Sequence, residues 1–155
     1  MERAVLLHNI RSAHNVGSIF RTSDAAGISK IYLSGYTPQP TDRFGRPQKD
    51  IAKTALGAEQ NIPWEYAKTP RAFICRLKKE AWQIAGIEQD RRSVDYRSFV
   101  IRKPTLFILG NEVLGISPTL RNACDVLLEI PMVGKKESLN VSVAAGIVLF
   151  TTLNT

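Results

Sequence analysis

The chain has 155 residues, of which 44% are hydrophobic and 23% are charged. This length suits one domain with a sizeable core, and the balance excludes disordered, collagen-like and coiled-coil proteins. Lysine and arginine number 21 against 14 aspartates and glutamates, so the net charge is +7. Such a basic excess favours a polyanionic partner such as a nucleic acid. Basic proteins without such a partner are also common, so charge alone leaves both interpretations open.

In chain order, apolar runs that predict strands alternate with patterns that predict helices. The predicted elements are strand 4–7, helix 15–26, strand 30–34, a proline-rich loop at 35–49, helix 50–56, helix 70–81, strand 82–87, strand 105–109, helix 117–123, strand 126–130 and helix 139–152. Ser117 is the predicted N-cap of its helix, because Pro118 suits the first helical position. This alternation indicates a single α/β domain built around a parallel sheet.

The sequence lacks the signals of a metal site, of secretion and of a membrane span. Cys75 and Cys124 are isolated in apolar stretches, so we expect buried, reduced thiols and no metal site. The N-terminus has no signal-peptide pattern. The most apolar stretch, residues 139–153, is shorter than the ~20 residues that a membrane span needs. We therefore expect a cytoplasmic protein without membrane contact.

The common motifs of α/β enzymes are also absent. The chain contains no GxGxxG segment after its first strand, no P-loop and no GxSxG elbow. The histidines, His8 and His14, have no acidic partner at local spacing. We expect them to be structural or to lie near bound nucleic acid, without a catalytic role.

The first informative segment is NIRSAHNVGSIFR, which begins at Asn9. Gly17 and Arg21 are four residues apart and share one helix face. Helical side chains lean towards the N-terminus, so Arg21 is predicted to lie over Gly17 towards Asn15, as part of a phosphate site. A helical glycine costs about 1 kcal/mol relative to alanine, which favours a functional reason for it. The alternative is a solvated arginine and an asparagine N-cap.

The second segment, LGNEVLG, directly follows a predicted strand. Gly110 and Gly115 would let the backbone approach a ligand at the end of that strand. Glu112 would anchor Asn15 or Arg21, or face a positively charged cofactor. An ordinary turn from strand to helix is the alternative, because spacing alone does not distinguish the two.

The third segment runs over residues 129–146, EIPMVGKKESLNVSVAAG. Ser138 is the predicted cap of the last helix. That helix is apolar almost all round, so it must be buried on several sides. In a small domain this indicates a core face and a subunit interface, and we expect a homodimer.

Taken together, these segments resemble the SpoU (TrmH-like) family of the SPOUT RNA methyltransferases, over residues 6–150. The family motif N-x-G-x-x-x-R matches Asn15, Gly17 and Arg21, and the motif G-x-E-x-x-G matches Gly110, Glu112 and Gly115. The third motif, I-P-M-x-G-x-x-x-S-L-N-V-S-V-A-A, matches residues 130–145 without a gap. Each of the first two motifs is weak alone, but all three in order are specific.

The resemblance implies a parallel-sheet α/β knot with a deep C-terminal trefoil, an exception to the general absence of knots. It implies a methyltransferase domain that works as a homodimer. We expect this single domain to span residues 1–155 with no appended RNA-binding domain, whereas relatives often carry extensions for holding RNA. The knot of this family forms a pocket for S-adenosylmethionine. By position, that pocket takes in Ile87, Leu109, Gly110, Ile130, Met132, Ser138 and Leu139.

The implied reaction is methyl transfer to a ribose 2′-oxygen of tRNA or rRNA. Arg21 matches the key residue of the family. With a pKa above roughly 12, arginine is a poor base, so we expect Arg21 to grip a phosphate beside the target ribose. The other residues expected to hold the catalytic geometry are Asn15, Glu112, Ser138 and Asn140.

The loop at 37–53 combines basic residues with the aromatic Phe44, a composition that suits an RNA strand. The predicted RNA contacts are Arg11, Arg21, Arg43, Arg46 and Lys49. A solvated basic surface is the alternative for the loop. For the chain as a whole, two alternatives are a non-catalytic RNA-binding or ribosome-assembly protein with this fold, and a SPOUT enzyme that methylates a base.

Overall fold

A seven-stranded β-sheet forms the centre of the computed structural model, which describes residues 1–154. The strands are β1 (Arg3–His8), β2 (Lys30–Ser34), β3 (Trp64–Tyr66), β4 (Gln83–Ile87), β5 (Val94–Asp95), β6 (Thr105–Leu109) and β7 (Val126–Glu129). They pair in parallel in the order β3-β2-β1-β6-β4-β7-β5. Every residue of the central β6 is buried, as expected for a parallel strand covered on both faces.

Helices cover both faces of the sheet. They are α1 (Ala13–Ala25), α2 (Lys49–Ala55), α3 (Ala58–Asn61), α4 (Pro70–Lys79), α5 (Pro118–Ala123) and α6 (Val141–Thr151), with short 3₁₀ helices at Tyr96–Ser98 and Thr152–Asn154. Val5 and Leu7 of β1 pack with α1, α2 and α6, whereas Ala4 and Leu6 pack with α4 and α5. Side chains alternate across a strand, so β1 contributes to two apolar layers. No helix within residues 1–154 is both long and apolar enough to cross a membrane.

The predicted α/β architecture is confirmed, and each predicted strand and helix is present with its ends within about two residues of the prediction. The elements that were not predicted are α3, β3, β5 and the two 3₁₀ helices. The strands β3 and β5 lie at the two edges of the sheet and are very short. Pairing with β2 and β7 defines them, and a local sequence pattern does not. The trefoil knot stays a prediction from the family resemblance.

The start of the last helix differs from the prediction. Asn140 is the N-cap of α6, because its Oδ1 accepts a hydrogen bond from the Ser142 N–H at 2.8 Å. Ser138, the predicted cap, lies two residues earlier and is exposed. The prediction that Ser138 caps this helix is therefore wrong. Ser138 is exposed just before the helix begins.

The prediction of two buried thiols is half wrong. Cys75 is exposed on α4, because it lies on the face of that helix turned away from Phe73, Ile74 and Leu77. Cys124 is mostly enclosed, and burial raises the pKa of its thiol to about 12. Both thiols are free.

The helix α1 packs closely against α2 at Gly17. A Cβ atom at this position would lie 2.0 Å from Thr54 Oγ1 and 2.4 Å from the Ile51 carbonyl oxygen. Helix packing therefore requires this glycine, and the predicted functional reason for it is wrong. The predicted placement of Arg21 over Gly17 is wrong for the same reason, because α2 fills that space.

We expect Gly17→Ala to destabilise the fold, since overpacking against a backbone carbonyl costs about 1–3 kcal/mol and the helical preference of alanine returns only about 1 kcal/mol. Gly146→Ala is the matched control. A Cβ atom there would make an ordinary contact, 3.6 Å from Thr22 Cγ2. Urea unfolding should give a lower midpoint for Gly17→Ala and an equal or higher midpoint for Gly146→Ala. Equal midpoints for both variants would contradict the packing argument.

A buried arginine ties the far ends of two helices to the sheet. The guanidinium of Arg3 donates to the carbonyl oxygens of Ala26 and Leu149, the second at 2.8 Å, and to Thr152 Oγ1 at 3.2 Å. These groups lie at the C-terminal ends of α1 and α6, where unpaired carbonyls accumulate and a cation is favoured. Arg3 thereby helps to set the positions of α1 and α6, whose N-termini carry the site described next.

Candidate functional site

A cleft of about 730 Å³, including its open mouth, lies where the adjacent strands β4, β6 and β7 end. Ligands of parallel α/β sheets bind at this edge of the sheet. The cleft is lined by all of the residues that were predicted for the cofactor pocket. These are Ile87, Leu109, Gly110, Ile130, Met132, Ser138 and Leu139.

One wall of the cleft is the loop after β6, and Glu88 holds it in place. The carboxylate accepts a hydrogen bond from the Ile116 N–H at 2.6 Å and another from the Gln89 N–H at 3.0 Å. Gly115 has a φ of +72°, and a Cβ there would lie 2.1 Å from Glu88 Oε2. Gly115 is therefore needed for the turn and for Glu88. Glu88 was not predicted from the sequence, because a single acidic residue after a strand carries no local signal.

Glu112 joins the loop after β6 to the start of α1. Its carboxylate accepts hydrogen bonds from the Arg11 N–H at 2.8 Å, the Ser12 N–H at 2.9 Å and Asn15 Nδ2 at 3.0 Å. The two loops are neighbours because β1 pairs with β6. Of the partners considered for Glu112, the structure shows Asn15 and not Arg21. Glu112 also lines the cleft.

The environment of Glu112 keeps it ionised. Burial would raise the pKa of this carboxyl, but the hydrogen bonds from Arg11, Ser12 and Asn15 outweigh it and lower the pKa below the ordinary glutamate value. A carboxylate with these donors is a poor proton acceptor at neutral pH. Its chemistry is that of an anchor for the N-terminus of α1.

The N-terminus of α6 meets the same cluster. Asn140 Nδ2 donates to Asn15 Oδ1 at 3.2 Å, so a chain of side chains runs from Glu112 through Asn15 to Asn140. Each of these residues comes from a different one of the three sequence segments. The fold therefore brings the segments together at the rim of the cleft, in what we call the polar cluster (Asn15, Glu112 and Asn140).

Two predicted catalytic residues lie outside the hydrogen bonds of this cluster. Arg21 is six residues beyond Asn15, about 9 Å along the axis of α1. It is exposed, and within residues 1–154 it makes no hydrogen bond or ion pair. Ser138 lines the cleft but does not bond to the polar cluster. The side chain of Arg21 is thus available to bind a group from outside the chain.

The proline-rich loop presents an ordered basic and aromatic surface. The guanidinium groups of Arg43 and Arg46 lie 4.8 and 5.0 Å from the ring centre of Phe44, which is 67% exposed. Arg46 is also held by Asp42 at 2.7 Å. Lys49, at the start of α2, is exposed as well. The predicted RNA-contact residues of this loop are therefore accessible.

Each of the two histidines has a polar side-chain neighbour within the chain. His8 Nδ1 lies 2.7 Å from Ser34 Oγ, and burial lowers the pKa of His8. His14 lies 3.7 Å from Asp50 in an exposed pair. Within the described residues, no group of three or more His, Cys, Asp or Glu side chains is placed to hold a metal ion.

The fold and the site are those of a ligand-binding α/β protein. It has a parallel sheet, a cleft at the ends of the central strands and a polar cluster at the rim of the cleft. Comparison with known families then identifies it. Residues 2–150 match the model of the SpoU rRNA Methylase family. The chain therefore belongs to this family.

Three relatives illustrate the similarity. A Staphylococcus haemolyticus protein assigned to the TrmH family of tRNA/rRNA methyltransferases is 33% identical over 150 residues, covering 97% of this chain and 57% of the relative. The Aquifex aeolicus tRNA (guanosine(18)-2′-O)-methyltransferase is 33% identical over 94% of this chain and 66% of its own length. The AdoMet-bound rRNA methyltransferase of Sinorhizobium meliloti superposes with a TM-score of 0.85 at 34% identity, over 97% of this chain and 55% of that chain.

The chain thus spans between about half and two thirds of the length of these relatives. The similarity covers the sheet, the cleft and the polar cluster, all of which lie within the matched residues 2–150.

Proposed function

We propose that this protein is an S-adenosylmethionine-dependent RNA methyltransferase that modifies a ribose 2′-oxygen of tRNA or rRNA. The observation that carries the proposal is that Glu112 belongs to both parts of the site. It lines the cleft and also anchors Asn15 in the polar cluster. A cofactor in the cleft and an RNA at the polar cluster would therefore be neighbours.

Two relatives support the assignment. The A. aeolicus enzyme is a 2′-O-methyltransferase by name, and the S. meliloti rRNA methyltransferase binds AdoMet. The basic excess of this chain and the accessible Arg43 and Arg46 agree with an RNA substrate.

The cleft has the chemistry that such a cofactor requires. Its lining combines apolar side chains, such as Met132 and Leu139, with backbone at the strand ends around Leu109, Gly110 and Ile130. Apolar walls with a few placed polar groups suit a purine nucleoside. When bound, S-adenosylmethionine would supply an electrophilic methyl group on a sulfonium.

The residues of the chain would act mainly by positioning. Glu112 would keep Asn15 in place, and Asn140 would fix Asn15 from the other side. Arg21 would hold a phosphate next to the target ribose, as an exposed guanidinium with no partner among residues 1–154. Ser138 would orient groups within the cleft. Displacement at a sulfonium depends strongly on alignment, so fixed geometry would account for most of the rate.

We further propose a cytoplasmic homodimer that uses the exposed apolar face of α6. Val143 and Phe150 on this helix, and Leu153 just after it, are exposed. Residues of this size are costly to leave in water as a continuous face. Because Thr22 of α1 faces Gly146 of α6, the interface would lie close to the neighbouring Arg21.

The test is methyl transfer from labelled S-adenosylmethionine to bulk tRNA and, separately, to rRNA, followed by nucleoside analysis. We expect label in one RNA class as a 2′-O-methylnucleoside. Label on a base would instead indicate a base methyltransferase. Absence of both label and cofactor binding by calorimetry would indicate a non-catalytic RNA-binding or ribosome-assembly protein.

A further inference from the structure

A second groove adjoins the cleft on the side of the polar cluster. We call it the rim groove, and its lining is Arg11, Ser12, Asn15, Tyr36, Asn111, Glu112, Val113 and Leu114. It shares Asn111, Glu112 and Val113 with the cleft, so the two are continuous. Its position gives access to the polar cluster from outside.

Tyr36 lines this groove, and hydrogen bonds hold both its backbone and its hydroxyl group. Its backbone N–H donates to Asn9 Oδ1 at 3.1 Å, and its hydroxyl oxygen accepts from Asn111 Nδ2 at 2.9 Å. The same Nδ2 donates to the Asn9 carbonyl at 3.0 Å, which closes the network. The residue is nevertheless 58% exposed. The polar edge is therefore occupied by the protein while the ring remains open to solvent.

The groove also has an apolar part, formed by Val113 and Leu114. The N–H groups of Val113 and Leu114 donate to Asn111 Oδ1 at 2.9 and 2.8 Å. These two residues are 89% and 80% exposed. Asn111 thus fixes both the aromatic ring and the apolar pair, and it does so without covering either.

Arg11 adds a cation to this groove. Its backbone N–H is bound by Glu112, and its exposed side chain lines the groove. A flat aromatic face, apolar walls and an arginine together suit a nucleotide, which has an aromatic base and an anionic phosphate. Base faces are covered by neighbours inside a duplex, so only an unpaired or extruded base fits.

We propose that the rim groove binds the base of the RNA nucleotide to be methylated, in an unpaired state and stacked on Tyr36. This inference rests on the proposed function and extends it to the form of the substrate. The continuity of the groove with the polar cluster is the reason to choose a nucleotide as occupant. A base bound on Tyr36 would place its ribose towards Asn15 and the cleft.

The test measures binding without requiring catalysis. A fluorescein-labelled single-stranded RNA of about 12 nucleotides and its duplex are titrated with the protein at one fixed salt concentration. We expect tighter binding of the single strand than of the duplex. Tyr36→Ala should weaken single-strand binding about 5- to 150-fold, the usual range for loss of one stacked base. Tyr36→Trp and Tyr36→Phe should retain most of the affinity, because each keeps an aromatic face.

Val100→Ala is the control, because Val100 is an exposed apolar residue outside the groove. Equal affinity of wild type and Tyr36→Ala for the single strand would overturn the inference. So would equal losses for Tyr36→Ala and Tyr36→Trp, or a change from dimer to monomer in Tyr36→Ala, which would assign the groove to a second copy of the chain. Wild-type methyl transfer is measured separately, so its absence would count against the proposed function and not against the groove.

Discussion

Arg21→Ala should lower the rate of methyl transfer about 10²-fold or more, because loss of the grip on the neighbouring phosphate would misplace the target ribose, and a small misplacement has this cost. The affinity for S-adenosylmethionine and the free energy of unfolding should remain at the wild-type level. Arg21 is exposed and does not line the cleft, and within residues 1–154 it makes no hydrogen bond or ion pair. On the proposed function, its loss would remove a contact with an RNA phosphate, while the hydrogen bonds of the fold would remain.

The matched control is Arg71→Ala. Arg71 is likewise an exposed helical arginine, but it lies on α4, on the opposite face of the sheet. This variant should transfer methyl groups at the wild-type rate. Loss of cofactor binding in Arg21→Ala, measured by calorimetry, would contradict the role in holding a phosphate. Equal rates for the Arg21 and Arg71 variants would contradict any special role of Arg21.

Glu112→Ala should have the second large effect. It should lower both the free energy of unfolding and the rate of methyl transfer. It leaves the N–H groups of Arg11 and Ser12 and the amide of Asn15 without their acceptor. We expect a loss of about 1 kcal/mol in the free energy of unfolding, because water can reach these groups in part. Methyl transfer should fall about 10²-fold, since a small displacement of positioning groups has this cost.

Two further variants test whether the effects on rate and stability come from the charge of Glu112 and from its position. Glu112→Gln keeps one acceptor oxygen without the charge, so its rate and stability should fall between those of wild type and the alanine variant. Glu80→Ala removes an exposed carboxylate at the end of α4 and should change neither quantity. A wild-type rate for Glu112→Ala would contradict the role of the polar cluster.

The pH dependence of this effect has a definite sign. The pKa of Glu112 is lower in the folded protein than its ordinary value. Its stabilisation is therefore present at neutral pH and is lost as the pH falls from the ordinary glutamate pKa through the lowered folded value. Acid unfolding curves should show a smaller pH dependence in this range for Glu112→Gln than for wild type.

The pattern of apolar and polar residues was sufficient to predict most of the secondary structure. Apolar runs and helical spacing located every major strand and helix, because burial of one face dictates that pattern locally. The short edge strands β3 and β5 were not predicted by this pattern, because their pairing with β2 and β7 defines them. The N-cap of α6 was placed at Ser138 and is Asn140, because serine and asparagine are both good caps and only backbone geometry selects between them.

The sequence by itself determined the family and the α/β class, because three ordered motifs carry that information, and the resemblance led to seven of the residues that line the cleft. Only the tertiary structure decided their roles towards one another. It placed Glu112 on Asn15 because β1 pairs with β6, and it assigned Gly17 to the packing of α1 against α2. It also revealed Glu88, Arg3 and Tyr36, whose partners are distant in the chain. Contacts between residues far apart in sequence leave no local pattern, so they become visible only when the sheet and helices are assembled.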